Sequence, residues 1–479
     1  MQPAIHNRVR RDGGNATLRV GGISLRSLAK GTLWLGCLSS VGLLLQLLFQ
    51  FQAANLLGLS EFGRLTHMLA ICSFIPLVAH FGTDRILVCE LARNPGRWPQ
   101  IVQTALLQRL LLGPLVGATL FAALVCDGEP QQLQVAFPLV LLGIVSALDL
   151  VYLFDAQGHA WKHSAALAGR SLGYVTGVVA LDRLGWASAV NGAWMMATVS
   201  TGFLAYQLHY ATTRGWSPLQ RCSWRTVGRM LRGSSSIAMA TACIQIYLQG
   251  PVVLLGFLGD KAEVGPVVIA VQAVTVLVGM IGLAYRLLLP RLTALFLEAP
   301  EEALAAIRRV SPLMLYVSTA CTAVVWWATP WLLALLKPQY ADAVHLTRIT
   351  LCTVPLINWA SIYGTSFLAM GQVRPYLACA AAGAVVAMGV CAALVPLCGG
   401  LGAVAGLAAA QVVASLTSAA AFARRSQWVR ATAGSSGSCI PPPRHERQQR
   451  ERGSVAGAAV WSVERAATNT PWFDIGEAP

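Results

Sequence analysis

Three charged side chains stand inside apolar runs of this 479-residue chain: Arg109, Asp149 and Arg170. A charge within a membrane span is costly enough to count as functional until shown otherwise. Arg109 lies eight residues past Ile101, Asp149 six before Asp155 and Arg170 seven past His163. At a helical rise of about 1.5 Å per residue, all three fall in one layer about 9 to 12 Å inside the cytoplasmic boundary. Arg109 shares a helical stripe with Gly113 and Gly117, and Arg170 shares one with Ala166, Gly173 and Gly177. Such small residues mark faces where helices pack closely, so the charges point into protein or water. Two chemistries fit. In one, Arg109 and Arg170 attract a diphosphate, whose oxygens match the guanidinium fork. In the other, Asp149 neutralises one arginine and the second snorkels to the interface.

Uncharged polar stripes form a second class. One apolar run aligns Ser39, Gly42, Gln46 and Gln50, another Thr241, Gln245 and Gln249, and a third Asn358, Ser361 and Thr365. Amides and hydroxyls suit a path for a hydroxyl-rich solute, with Tyr247 or Trp359 placed to stack on sugar faces. The alternative is hydrogen bonding between helices, worth about 0.6 kcal/mol per contact.

The elements that hold these residues follow from composition. Hydrophobic residues make up 56% of the chain and charged residues 11%, against about 25% charged in a soluble domain. Apolar runs of the roughly 20 residues needed to cross a 30 Å hydrocarbon layer fill nearly all of the first 423 positions. The spans must be helical, because lipid offers backbone groups no partners. The reading is therefore an all-α polytopic membrane protein with twelve spans: Leu33–Leu57, Leu65–Phe81, Ile101–Val125, Leu133–Phe154, Ser164–Leu181, Trp186–Leu208, Ser234–Leu258, Val264–Leu289, Val310–Leu336, Leu346–Met370, Tyr376–Leu397 and Leu401–Ala423.

These divide the chain into a basic N-terminus (1–30), a six-helix lobe (31–213), an arginine-rich linker (214–233), a second six-helix lobe (234–423) and a tail (424–479) rich in Gly, Ser, Pro and charge, read as disordered. The apolar run after Lys30 is too long for a cleaved signal peptide and reads as a retained first span. Of the 35 basic residues, the outer loops hold only Arg64, Arg183, Lys261, Lys337 and Arg348. The positive-inside rule then puts both termini in the cytoplasm. That topology accounts for the net charge of +15 without nucleic acid. The linker arginines suit anionic membrane lipids, or serve only to set the orientation of the spans. The twelve cysteines are scattered through apolar runs and read as small buried residues, with no metal site and no cofactor implied.

The two halves echo each other. Gln46 and Gln50 recur as Gln245 and Gln249, Leu56-Leu57-Gly58 as Leu254-Leu255-Gly256, Glu61-Phe62-Gly63 as Glu263-Val264-Gly265, and Arg85 as Arg286. Ala156-Gln157-Gly158 also matches Ala369-Met370-Gly371. The order argues for duplication of a six-helix unit. An even span number keeps both copies in one orientation, so the lobes are parallel repeats, a transporter architecture.

The segment LLGLSEFGRL (Leu56–Leu65), the stretch Phe154-Asp155-Ala156-Gln157-Gly158, the loop Lys337-Pro338-Gln339-Tyr340-Ala341-Asp342-Ala343 and the run Leu401-Gly402-Ala403-Val404-Ala405-Gly406 occur in the order of the polysaccharide flippase family. From about Ser27 to Arg425 the chain resembles this branch of the multidrug, oligosaccharidyl-lipid and polysaccharide exporter superfamily. The resemblance implies a non-enzymatic flippase in the cytoplasmic membrane. Its substrate would be a polyprenyl-diphosphate-linked oligosaccharide, with a polysaccharide polymerase and assembly proteins as partners. Arg109, Arg170, Asp149, Gln46, Gln50, Gln245, Gln249 and Asn358 are the candidate substrate-binding residues.

Two rivals stand beside it. A cation-coupled drug exporter of the superfamily usually carries an acidic residue in span one, and this span has none. A membrane polymerase or glycosyltransferase needs an outer loop with a catalytic set, and the outer loop at Lys337 offers no paired carboxylates, nucleophile and base, or metal ligands. Gly82-Thr83-Asp84-Arg85 resembles a major-facilitator loop, but its spacing differs from that family's.

Overall fold

A computed structural model describes residues 19–20, 23–84, 87, 91, 98–127, 130–156, 160–213 and 224–435. The basic segment through residue 18, Arg85, Arg93, Arg97, Gln157, Gly158, the linker part 214–223 and the tail beyond residue 435 lie outside the described residues.

Among the described residues, a two-residue antiparallel pairing of Arg19–Val20 with Ile23–Ser24 precedes fourteen α-helices. In chain order these are α1 (Leu25–Cys72), α2 (Phe74–His80), α3 (Trp98–Asp127), α4 (Pro130–Ala147), α5 (Tyr152–Ala156), α6 (Ala160–Arg183) and α7 (Ala189–Thr213). They continue as α8 (Trp224–Leu258), α9 (Lys261–Glu298), α10 (Pro300–Leu333), α11 (Asp342–Leu351), α12 (Val354–Ala369), α13 (Val373–Cys398) and α14 (Gly400–Ser435).

Among the described residues, nine helical stretches are long and apolar enough to cross a membrane. The first of them, Gly36–His80, carries two of the expected spans, because α1 bends at Gly58. The span at Trp186–Leu208 overlaps α7, and that at Leu346–Met370 overlaps α11 and α12, an arrangement compatible with the twelve expected spans. The chain is a multi-pass helical membrane protein. Helix α14 runs on to Ser435, past the expected span end at Ala423. The sequence between them contains helix formers and no proline, and its first glycine is Gly434.

Helices α1 to α7 pack chiefly on one another: α1 on α6 and α4, α3 on α2 and α4, and α7 on α4 and α6. In the second half α13 packs on α14 and α8, α9 on α11 and α12, and α10 on α12. The halves meet where α1 lies along α9 and where α1 and α2 touch α8. Phe62, Met68, Ile75 and Leu139 are fully buried in a core that also takes in Ile269 and Tyr340 of the second half. Large side chains such as Tyr316, Val324, Trp327 and Leu397 are exposed, as expected of surfaces facing lipid.

Glycines shape α1 and the end of α2. Gly58 has φ 78° and ψ 176°, a conformation that breaks the helix and that side chains resist. After α2, Phe81 and Gly82 both take positive φ, and a Cβ on Gly82 would stand 2.8 Å from the Ala238 backbone nitrogen on α8. Gly82→Ala therefore combines left-handed strain of at least about 1 kcal/mol with a clash between the halves. We expect a lower melting temperature in detergent and less folded protein by size-exclusion chromatography. A wild-type profile would show that this crossing is not tight.

Candidate functional site

The site forms around an unexpected break. The span at Leu133–Phe154 reads as continuous, but α4 stops at Ala147, and Leu148–Val151 is unwound before α5 begins. Unwinding strands backbone groups that have to find new partners. Three of the partners are side chains from other elements. His80 Nε2 meets the Ala147 carbonyl at 3.1 Å, Arg109 donates to the Asp149 carbonyl, and the Leu150 amide donates to Gln207 Oε1 at 2.7 Å. Asp149 Oδ1 accepts from the Val151 amide at 3.0 Å and so turns the chain into α5.

Arg109 is fully buried and ties three elements together. Besides the Asp149 carbonyl, it pairs with the Asp84 carboxylate just beyond α2, and its guanidinium lies 4.8 Å from the centre of the Tyr152 ring. Its neighbour Gln108 donates to the Ala79 and His80 carbonyls at 3.0 and 3.3 Å, closing the end of α2. Asp84 also meets His80 Nδ1 at 3.1 Å. Burial alone would raise the Asp84 carboxyl, but the Arg109 charge and the His80 contact outweigh it and hold the group well below the usual carboxylate range.

Arg170 is held differently. Its side chain is 32% exposed, and its ion pair with Asp149 Oδ2 spans 3.8 Å, longer than a hydrogen bond. It faces a cavity of about 320 Å³, a size at the lower end for small-ligand sites. His80 and Asp84 from the end of α2, Asp149 from the break, His163 and Arg170 from α6, and Gln207 from α7 line it. The cavity lies within the first half of the chain.

The structure brings Arg109, Asp149 and Arg170 together in one layer, with one arginine sealed and the other facing space. None of the other five candidates lines the cavity. Gln50 is buried, and Gln46 and Gln249 are half-buried. Gln245 reaches from α8 to Ser73, between α1 and α2, with Nε2 at 3.0 Å from Oγ. Asn358 is fully buried, and its Nδ2 turns back to the Val354 carbonyl at 3.0 Å.

Sequence reasoning missed His80, Asp84, His163 and Gln207. Asp84 reads as a marker of the cytoplasmic boundary, yet an arginine inside a span needs a counter-charge, and the His80/Asp84 spacing of one helical turn was available as a signal. Gln207 carries no comparable signal.

Comparison with known proteins bears on this geometry. The family model described as polysaccharide biosynthesis protein matches residues 28–296. The chain belongs to that family. Its matched segment contains the cavity and every residue that lines it. Among curated proteins, no significant sequence match is found. Solved structures share the fold of the family member described here. A multidrug resistance MATE family transporter of the MOP superfamily, in an inward-facing conformation, is 14% identical with a TM-score of 0.65, covering 82% of this chain and 96% of its own. The outward-facing form gives 0.62 at 14% identity over 84% and 97%. The lipid II flippase MurJ, in an inward closed conformation, gives 0.63 at 10% identity over 81% and 87%. At these identities the likeness establishes the fold alone.

Proposed function

We propose that the protein is a flippase that carries polyprenyl-diphosphate-linked oligosaccharide units across the cytoplasmic membrane for polysaccharide assembly, with both termini in the cytoplasm. The observation that carries the reading is the loosely held Arg170 on the cavity wall. An arginine whose ion pair is too long for a hydrogen bond keeps donors free for phosphate oxygens. Family membership and a fold shared with a lipid II flippase support a lipid-linked cargo.

In this mechanism Arg170 meets the diphosphate near the cytoplasmic side, and Asp149 holds its guanidinium in place until the anion arrives. Arg109 keeps the broken segment rigid. The glycan follows a path past Gln46, Gln50, Gln245 and Gln249, whose amides suit its hydroxyls, while the polyprenyl tail stays in lipid. The halves rock about their contact to open the path alternately to each side. The protein makes and breaks no covalent bond; a polymerase and assembly proteins use the delivered unit.

Deletion followed by analysis of the polyprenyl-linked pool tests the reading. Intact units are expected to accumulate on the cytoplasmic face while surface polysaccharide falls. An unchanged pool with raised drug sensitivity would support the cation-coupled exporter instead.

A further inference from the structure

The two halves are fastened at one end by a set of hydrogen bonds that the transport reading does not use. Asn55, at the end of the first span, directs both ends of its amide to one loop of the other half. Its Nδ2 donates to the Leu335 carbonyl at 2.8 Å, and its Oδ1 accepts from the Lys337 amide at 2.9 Å. One turn of 3-10 helix later, the Tyr340 hydroxyl donates to the Ala54 carbonyl at 3.1 Å. The Tyr340 ring stands edge-on to Phe62, with centroids 6.3 Å apart. Tyr340 and Phe62 are buried, and Asn55 is half-buried.

We propose that Asn55 and Tyr340 form a latch that holds the outer face closed. This inference rests on the alternating-access reading and its orientation. It goes beyond that reading by naming the groups that must part before cargo leaves. Asn55 suits the task because its partners are main-chain groups at the end of α10 and the start of the 3-10 turn, where helical hydrogen bonding has lapsed. When the halves separate, water satisfies the same donors and acceptors, so the bonds are strong enough to hold and weak enough to release. Gly58, three residues beyond Asn55, breaks α1 there and lets the chain turn toward Phe62 without carrying the helix into the loop. Tyr340 adds an apolar wedge to the polar clasp, and its loss removes a hydrogen bond without emptying the space if phenylalanine replaces it.

The test uses full-length protein in lipid nanodiscs, with spin-labelled non-canonical residues at Leu184 and Leu397, exposed positions of the first and second halves. Double electron–electron resonance distances are compared for wild type, Asn55→Ala, Tyr340→Phe and the double variant. Hydrogen–deuterium exchange at the Lys337 amide reports whether the clasp is broken, and exchange in α4 reports that the protein is folded. The expected result is a long-distance population at least about tenfold larger in the double variant, in line with the loss of three neutral hydrogen bonds, two at Asn55 and one at Tyr340, each at the low end of its usual net contribution. The milder Tyr340→Phe keeps the test valid if Asn55→Ala misfolds. Unchanged distances in folded variants with a deprotected Lys337 amide would overturn the latch alone, provided wild type still changes distance when a polyprenyl diphosphate is added. A distance that never changes in any variant, with or without that lipid, would overturn both the latch and the rocking of the halves.

Discussion

Arg109→Ala is expected to be the most damaging single substitution in the charged layer, and to act on folding before transport. The arginine is fully buried and holds the Asp84 carboxylate, the freed Asp149 carbonyl and the Tyr152 ring at once. Breaking a buried ion pair by removing one partner typically costs 3 to 5 kcal/mol, because the other charge is left uncompensated. Asp84 keeps contact with solvent, at 44% side-chain exposure, so a cost of about 2 to 3 kcal/mol is the better expectation. Membrane abundance and melting temperature should both fall. Arg109→Lys should recover little, since a single ammonium cannot present the planar fork that serves a carboxylate and a carbonyl together. The companion Asp84→Asn should also destabilise, by leaving the Arg109 charge buried. A normally abundant and normally melting Arg109→Ala protein would contradict this account of the break.

Arg170→Ala should separate from it cleanly. The residue is partly exposed, and its pairing with Asp149 is long, so its removal should leave abundance and melting near wild type. Transport should instead fall about ten- to hundredfold, the range that follows from losing a charge-assisted hydrogen bond to an anion. Arg170→Lys should keep the charge but lose the fork, and is expected to fall between the two. Equal loss of abundance in Arg109→Ala and Arg170→Ala would mean that the layer is structural throughout.

The contrast between these arginines marks what the sequence could reveal. A charge in an apolar run is a local signal, so Arg109, Asp149 and Arg170 and their common layer were legible from spacing alone. Which arginine is sealed was not, because that depends on Asp84, which approaches from another element. The unwound Leu148–Val151 segment was equally hidden. It contains neither glycine nor proline, and it is held open by His80, Arg109 and Gln207, whose closeness is a tertiary fact.

The helical spans were readable because lipid leaves the backbone no other choice. The first two expected spans leave a gap between Leu57 and Leu65, and the chain bends there at Gly58, yet it is helical through Phe62 and Gly63. The repeated glutamines were legible as a pattern, yet among the described residues only Gln245 of these glutamines forms a bond across the halves, to a serine far away in the chain. The Asn55 and Tyr340 contacts join residues some 280 positions apart, beyond the reach of any local pattern.

The central claim is that this chain moves a lipid-linked glycan from one leaflet to the other. The most direct measurement follows a fluorescent polyprenyl-diphosphate oligosaccharide in proteoliposomes, with a membrane-impermeant quencher reporting the outer leaflet under an imposed proton gradient and membrane potential. Purified wild-type protein should speed transfer between leaflets well above protein-free vesicles, and folded Arg170→Ala should do so about ten- to hundredfold less well. Transfer no faster with folded wild-type protein than without it, under either driving force, would contradict the account.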